Sequence, residues 1–145
     1  MKMRSIKERK AKLRTIKYRG KDKANGKWLY GNLIVPLMDR TISRHYIQGY
    51  NYSQDEQHEV DGNTVGLFSG HFDKNGVDIY EGDIFHVGDP NITYTVVWVD
   101  TGLKGKQNGS SSYVGIEHWA DVSVVIGNVH DNVRAFKKGE SNESL

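Results

Sequence analysis

"DKNGVDIYEGDIFHVGD", residues 73–89, gathers three glycines and five carboxylates around a short apolar run. Acidic residues this close together can collect round a cation or act as an acid–base pair, but they can also punctuate β-structure. An EF-hand loop needs oxygen ligands at its first, third and fifth positions, glycine at the sixth and glutamate at the twelfth. Counting from Asp73, the fifth residue is Val77, Gly76 comes two places early, and the twelfth is Ile84. Counting from Asp78 fails as well. An acid–base pair drawn from Asp78, Glu81 and Asp83 would have no nucleophile, phosphate loop or metal-spaced histidine beside it. Turn chemistry accounts for the stretch without a ligand. Asn75-Gly76 supplies the tip of a hairpin, Gly82 permits a positive φ in "EGDI", and Glu81 and Asp83 flank it, with Asp83 placed to accept backbone N–H groups. Asn75, Gly76, Glu81, Gly82 and Asp83 are therefore assigned to structural turns.

If this stretch is turn and strand, the segments on either side read as a mainly β chain. "LRTIKYR" and "KWLYGNLIV" alternate in character and flank Asn25-Gly26, which predicts a hairpin; Pro36 ends its second strand. "SRHYIQGY" reads as a third strand. "HEVDGNTVGLFSG" places Asp61-Gly62 between two short apolar pieces, a second hairpin signal. Further on, "DIFHV", "ITYTVVWV", "SYVGIEHW" and "VSVVIGNV" read as four strands joined by polar, glycine-containing connections, of which "GLKGKQNGSSS" reads as a flexible loop. Ile92, Tyr94, Val96 and Trp98 share one face of the second of these. "DNVRAFKK" suits one closing helical turn with Asp131 as N-cap. Strands this short and close favour a small barrel or rolled sheet.

The chain has 145 residues, no cysteine and a net charge of +2. It is long enough to bury a core without disulfides. No apolar run approaches the roughly 18–20 residues that span a bilayer, and the basic N-terminus has no apolar segment of a secretory signal after it. A cytoplasmic location follows as the expectation, with no membrane partner. Charge is unevenly spread. Residues 1–23 hold eleven Lys or Arg and two acids, whereas residues 24–145 hold nine basic and sixteen acidic residues. Such a basic head suggests a partner, and Arg4, Lys7, Arg9, Lys10, Lys12, Arg14, Lys17 and Arg19 are the candidates for neutralising phosphates. Trp28, Tyr30 and Trp98 are candidate stacking platforms for bases. Against nucleic acid stands the acidic body, which repels phosphate. The six histidines lie 12 to 32 residues apart, without the i,i+4 spacing common in zinc sites. No catalytic, cofactor-binding or metal-ligating residue is assigned, and no cofactor or small-molecule substrate is expected.

"TVGLFSGHFDKNGVDIYEGDI", "IKYRGKDKANGKWLYGNLI" and "VVIGNVHDN" together resemble the signature blocks of the YopX family of phage and prophage proteins, in the family's order. The resemblance runs from about Ile16 to Asn132. His71-Phe72 and the "VRAFKK" ending depart from the family pattern. The resemblance implies a C-terminal SH3-type β-barrel behind a smaller β-containing N-terminal part, and a phage context without an established activity. The expected organisation is a basic arm or short helix at 1–12, an N-terminal β subdomain at 13–62, the barrel at 63–137, and a disordered tail at 138–145. The expected role is an accessory, non-enzymatic binding or assembly module that docks a protein partner or itself. The alternative is a nucleic-acid-binding module using the basic arm.

Overall fold

The computed structural model describes residues 14–36, 44–49 and 56–131. The expected basic arm at 1–12, the closing helix after Asp131 and the tail at 138–145 lie outside them. The fold is mainly β, in two five-stranded sheets. The first comprises β1 (Tyr18–Asp22), β2 (Trp28–Ile34), β3 (His45–Gly49), β4 (His58–Phe72) and β5 (Asp78–Tyr80), paired in that order. Strand β1 also pairs antiparallel with β4, so the pairings among β1 to β4 form a circuit. The second sheet has the order β10-β6-β7-β8-β9, from β6 (Asp83–His86), β7 (Tyr94–Val99), β8 (Gly102–Gln107), β9 (Tyr113–Val114) and β10 (Val124–Asn128). A single helical turn, α1 (Ile116–Trp119), and a 3-10 turn at Ala120–Val122 precede β10. The described pairings do not delineate the SH3-type barrel expected for residues 63–137.

The fold has two apolar centres. Leu29, Ile47 and Val60 are buried in the first sheet, packed by Tyr18, Leu33 and Val65. The second centre buries Phe85, Val96, Ile116 and Ala120 together with Ile79 from β5, and there Phe85 stacks on Tyr94 at 5.3 Å between centroids. The first hairpin turns at Gly26, with φ +72°, and pairs Tyr18 with Gly31. Strand β2 ends at Ile34, before Pro36.

Three elements differ from the sequence reading. No hairpin forms at Asp61-Gly62, because β4 runs unbroken for 15 residues. The residues instead bulge. Between the pairs Arg19–Gly66 and Lys21–Asp61, β1 advances two residues while β4 advances five. The Asp61 carboxylate accepts the Asn63 N–H, and Thr64 Oγ1 donates to Asp61 O while accepting the Lys21 N–H. The signal that resembled a turn is a strand bulge bridged by side chains. The subdomain boundary expected at 62/63 therefore falls inside a strand.

The second difference is "GLKGKQ", expected as loop, which forms β8 and pairs with β7 from Val99–Gly102 to Tyr94–Gln107. Gly105 is what made this stretch look irregular, yet it faces the core. A Cβ there would stand 2.7 Å from Phe85 Cζ and 2.9 Å from Val114 Cγ2. Third, "SYVGIEHW" is extended only at Tyr113–Val114; after Gly115 the chain makes α1, which together with the 3-10 turn buries Ile116 and Ala120 against Val96 and Phe85. Ile92 and Trp98 also leave the buried face that they share in sequence with Val96, and both are exposed.

Candidate functional site: a groove between the two sheets

Strand β1 carries the site. Its alternate residues, together with the ones flanking it, are basic, and each reaches a carboxylate from elsewhere in the chain. Lys17 Nζ lies 2.6 Å from Asp78 Oδ2, Arg19 Nη2 lies 2.8 Å from Asp83 Oδ1, Lys21 pairs with Asp131, and Lys23 Nζ lies 3.0 Å from Glu59 Oε2. The charge asymmetry of the sequence has this as part of its cause: four of the eleven basic residues in the head are neutralised by the acidic body. Lys17 and Arg19, named from sequence as candidates for phosphate contacts, are each placed against a carboxylate of the chain itself. Arg19 is only 6% exposed, and its guanidinium is committed to Asp83 and the Glu81 carbonyl. Arg4, Lys7, Arg9, Lys10 and Lys12 lie outside the described residues, and Arg14 is exposed.

The Arg19–Asp83 pair ties the first sheet to the second. Asp83 is 2% exposed, and its other oxygen accepts the Tyr80 N–H at 2.7 Å. Burial pushes the Asp83 carboxyl above its ordinary value, against the pull of Arg19 and the Tyr80 N–H. The Arg19 guanidinium lies 4.6 Å from the Trp28 ring centroid and 5.0 Å from that of Tyr80. Aromatic faces of this kind compensate a weakly hydrated guanidinium for lost water. Arg19 Nε is buried without a hydrogen-bond partner among the described residues. Beside it, the Trp28 indole N–H donates to Asp131, which also accepts from Asn128. Burial pushes the Asp131 carboxyl up, and these donors together with Lys21 outweigh it and hold the group down at about 2. His130 lies 5.9 Å from the Trp28 ring; burial, then Arg19 and Lys21, lower its pKa.

Above this pair lies a groove of about 560 Å³, lined by Lys17, Arg19, Tyr30, Val77, Asp78, Tyr80, Asp83, Val125 and neighbouring residues. Tyr30 and Val77 stand 45% and 48% exposed at its margin. The turn that opened the sequence reading forms one wall. Asp73 accepts the N–H groups of Asn75 and Val77 through Oδ1 and that of Val125 through Oδ2, at 2.8, 2.9 and 3.0 Å. Burial raises the Asp73 pKa, and the three N–H donors more than offset it, so the carboxyl sits below its ordinary value. Gly76 takes φ +81° at the tip. Gly82 takes φ +93°, with Glu81 Oε1 3.4 Å from the Leu67 N–H. Asp78, Glu81 and Asp83 thus each have a separate partner. Among the described residues no group of three or more His, Asp or Glu side chains is placed to hold a metal ion.

Sequence reasoning placed Asp83 in a turn and missed its pairing with Arg19, and it missed Tyr80, Asn128, His130 and Asp131 as parts of one cluster. The available signal was the alternation of basic residues at 17, 19, 21 and 23 on a strand heading into an acidic body.

A family model described as "YopX protein" matches residues 17–137. The chain belongs to the YopX family. The match begins at Lys17, the first residue of the basic ladder, and spans every groove residue named above. No curated protein matches the chain. Among solved structures, the crystal structure of protein EF1440 from Enterococcus faecalis is similar at 20% identity and a TM-score of 0.48, over 83% of this chain and 96% of that one. No helix among the described residues of this YopX-family chain is long and apolar enough to cross a membrane.

Proposed function

We propose that the chain is a phage or prophage accessory protein acting in the bacterial cytoplasm as a non-enzymatic binding module, and that the groove docks an extended, uncharged segment of a protein partner. The second sheet would serve as the SH3-type module that presents the groove. The observation carrying this reading is that a groove of about 560 Å³ is rimmed by exposed Tyr30 and Val77 while both cations that line it, Lys17 and Arg19, carry their own carboxylates. Catalysis by proton transfer uses an acid or base poised towards a substrate; here Asp78 and Asp83 are engaged by Lys17 and Arg19. Recognition of a protein segment uses apolar and aromatic surface with a few fixed polar groups, which the groove supplies.

The test is affinity purification from phage-infected or induced cells with the wild-type chain and with Val77→Asp and Tyr30→Asp variants, followed by direct binding of the purified prey. The expected result is one prey that binds the wild type directly and loses at least tenfold in affinity for both variants. Binding that is indifferent to both substitutions, with the variants folded, would refute the groove. A concentration-dependent dimer broken by the same variants would replace the foreign partner with a second copy of the chain.

A further inference from the structure

The outer main-chain groups of an edge strand invite another strand, and folded proteins blunt such edges with short strands, charge, proline or a covering loop. Among the described residues three sheet ends are open, β5, β9 and β10, whereas β1 is closed by its pairing with β4. Strand β9 is two residues long. Strand β5 has three residues, and its Asp78 is held by Lys17. Strand β10 is different: it runs for five residues, "VVIGN", with neither charge nor proline.

A loop covers β10 only in part. The Lys74 N–H donates to Ser123 O and the Val125 N–H donates to Asp73 Oδ2, both at 3.0 Å, so the turn at 73–77 lies along the strand as far as Val125. From Ile126 to Asn128 no described strand pairs with that side. Ile126 is 49% exposed. Val125, Gly127 and Asn128 line the groove, so this stretch of β10 is one of its walls. Glycine within a strand is a residue that lets another main chain approach closely. The first sheet contributes Tyr30 and Tyr80 to the same groove, with ring centroids 5.7 Å apart.

We propose that the groove takes an extended segment of another protein by strand addition to β10, its main chain bonded along Ile126–Asn128 and its alternate side chains turned towards Tyr30 and Tyr80. This mode rests on the docking role proposed for the groove, and it names the main-chain geometry and the chemistry of the segment. In strand addition the main-chain hydrogen bonds give affinity and alternate side chains give specificity. The inward side chains are apolar and uncharged, because Lys17 and Arg19 carry their own carboxylates. Proline is excluded from the paired positions, since it has no N–H to donate. A free segment suits the groove better than a second copy's β10, which would bring its own sheet against Tyr30 and Val77.

The experiment selects a random twelve-residue peptide library, displayed on phage, against the full chain and measures the synthetic binders by fluorescence anisotropy. The selected peptides are expected to alternate apolar with polar residues and to lack proline over the bound stretch. Methylating each peptide amide nitrogen in turn should weaken binding at least tenfold at alternate positions and less than about twofold between them, because only every second amide faces the neighbouring strand. Nuclear Overhauser contacts should join the peptide main chain to Ile126–Asn128, and Val77→Asp and Tyr30→Asp should each weaken binding at least tenfold. Proline-rich binders that are lost in Val77→Asp, or binders that tolerate every methylation, would overturn strand addition and leave the groove as a docking site. Folded Val77→Asp and Tyr30→Asp variants that bind as the wild type does would overturn both readings. An empty selection, or contacts that join β10 to a second copy of the chain, would overturn strand addition by a foreign segment.

Discussion

Replacing Asp83 with leucine should leave the Arg19 guanidinium buried and unpaired, with the Tyr80 N–H losing its acceptor in the same step. Removing one partner of a buried pair costs about 3–5 kcal/mol. A chain of this size has roughly 5–15 kcal/mol in total, so about a fifth or more of its stability depends on this one carboxylate. The two halves of the pair are not equivalent. A guanidinium holds its proton under all ordinary conditions, whereas a buried carboxyl can take one up and become neutral. Burial already pushes the Asp83 pKa upward. Arg19→Met should therefore cost less than Asp83→Leu, because Asp83 can protonate while the introduced methionine keeps contact with Trp28 and Tyr80. The double variant should recover most of the charge penalty and keep only the orphaned Tyr80 N–H, at about 1–3 kcal/mol. Urea unfolding at pH 7 measures this. With a slope of roughly 2 kcal/mol per molar, the Asp83→Leu midpoint falls by about 2 M, and the double variant lies above it. Lowering the pH to 5 should narrow the deficit of Arg19→Met and leave that of Asp83→Leu in place. Additive single effects, with a coupling below about 0.5 kcal/mol, would refute the claim that the two groups form one buried unit.

Two further outcomes follow from the same structure. Gly105→Ala should destabilise the chain by about 1–3 kcal/mol, since its Cβ would press on the Phe85 ring and the Val114 side chain; thermal unfolding reads this, and a neutral result would mean that β8 does not lie against Phe85. His130 has its folded pKa lowered from 6.5, so the folded state binds fewer protons than the unfolded one just below that value. Its contribution is thus complete above about pH 6.5 and is lost as the pH falls through the lowered folded pKa. Asp131, held at about 2, contributes above about pH 3.8 and loses that contribution as the pH falls towards 2. Urea midpoints across pH 2 to 8 should show both steps; His130→Asn should remove the upper one alone, and an unchanged profile would exclude His130 as its source.

The turns were legible because their chemistry is local. Asn25-Gly26 and Asn75-Gly76 place glycine where φ is positive, with Asp73 three residues before Gly76 to accept the turn's amides. What failed was the inference that glycine and polar residues mean a loop. Gly105 is in a strand because Phe85 occupies the space that a side chain would take, and Asp61-Gly62 is in a strand because Thr64 bridges the bulge to Lys21. In each case a deciding partner, Phe85 or Lys21, lies at least 20 positions away along the chain. The ion pairs were illegible for the same cause at longer range. Arg19 and Asp83 are 64 positions apart in the sequence, and only the packing of β1 across both sheets brings them together.

That packing also joins stability to the site. Strand β1 is held on one side by β2 and on the other by β4, and its basic side chains, with that of the adjoining Lys17, reach Asp78 on β5, Asp83 on β6 and Asp131 after β10. The groove is the space left between the surfaces that these pairs draw together. Its shape therefore depends on residues whose loss weakens the whole fold, and a binding defect in an Arg19 or Asp83 variant would report on folding as much as on recognition. Val77 and Tyr30 are different, since each stands half-exposed on the margin and neither has a part in an ion pair. A groove shaped by buried charge and read through exposed apolar residues allows the two roles to be separated by experiment. Substitutions at Val77 and Tyr30 change what the groove meets, while those at Arg19 and Asp83 change whether the groove exists.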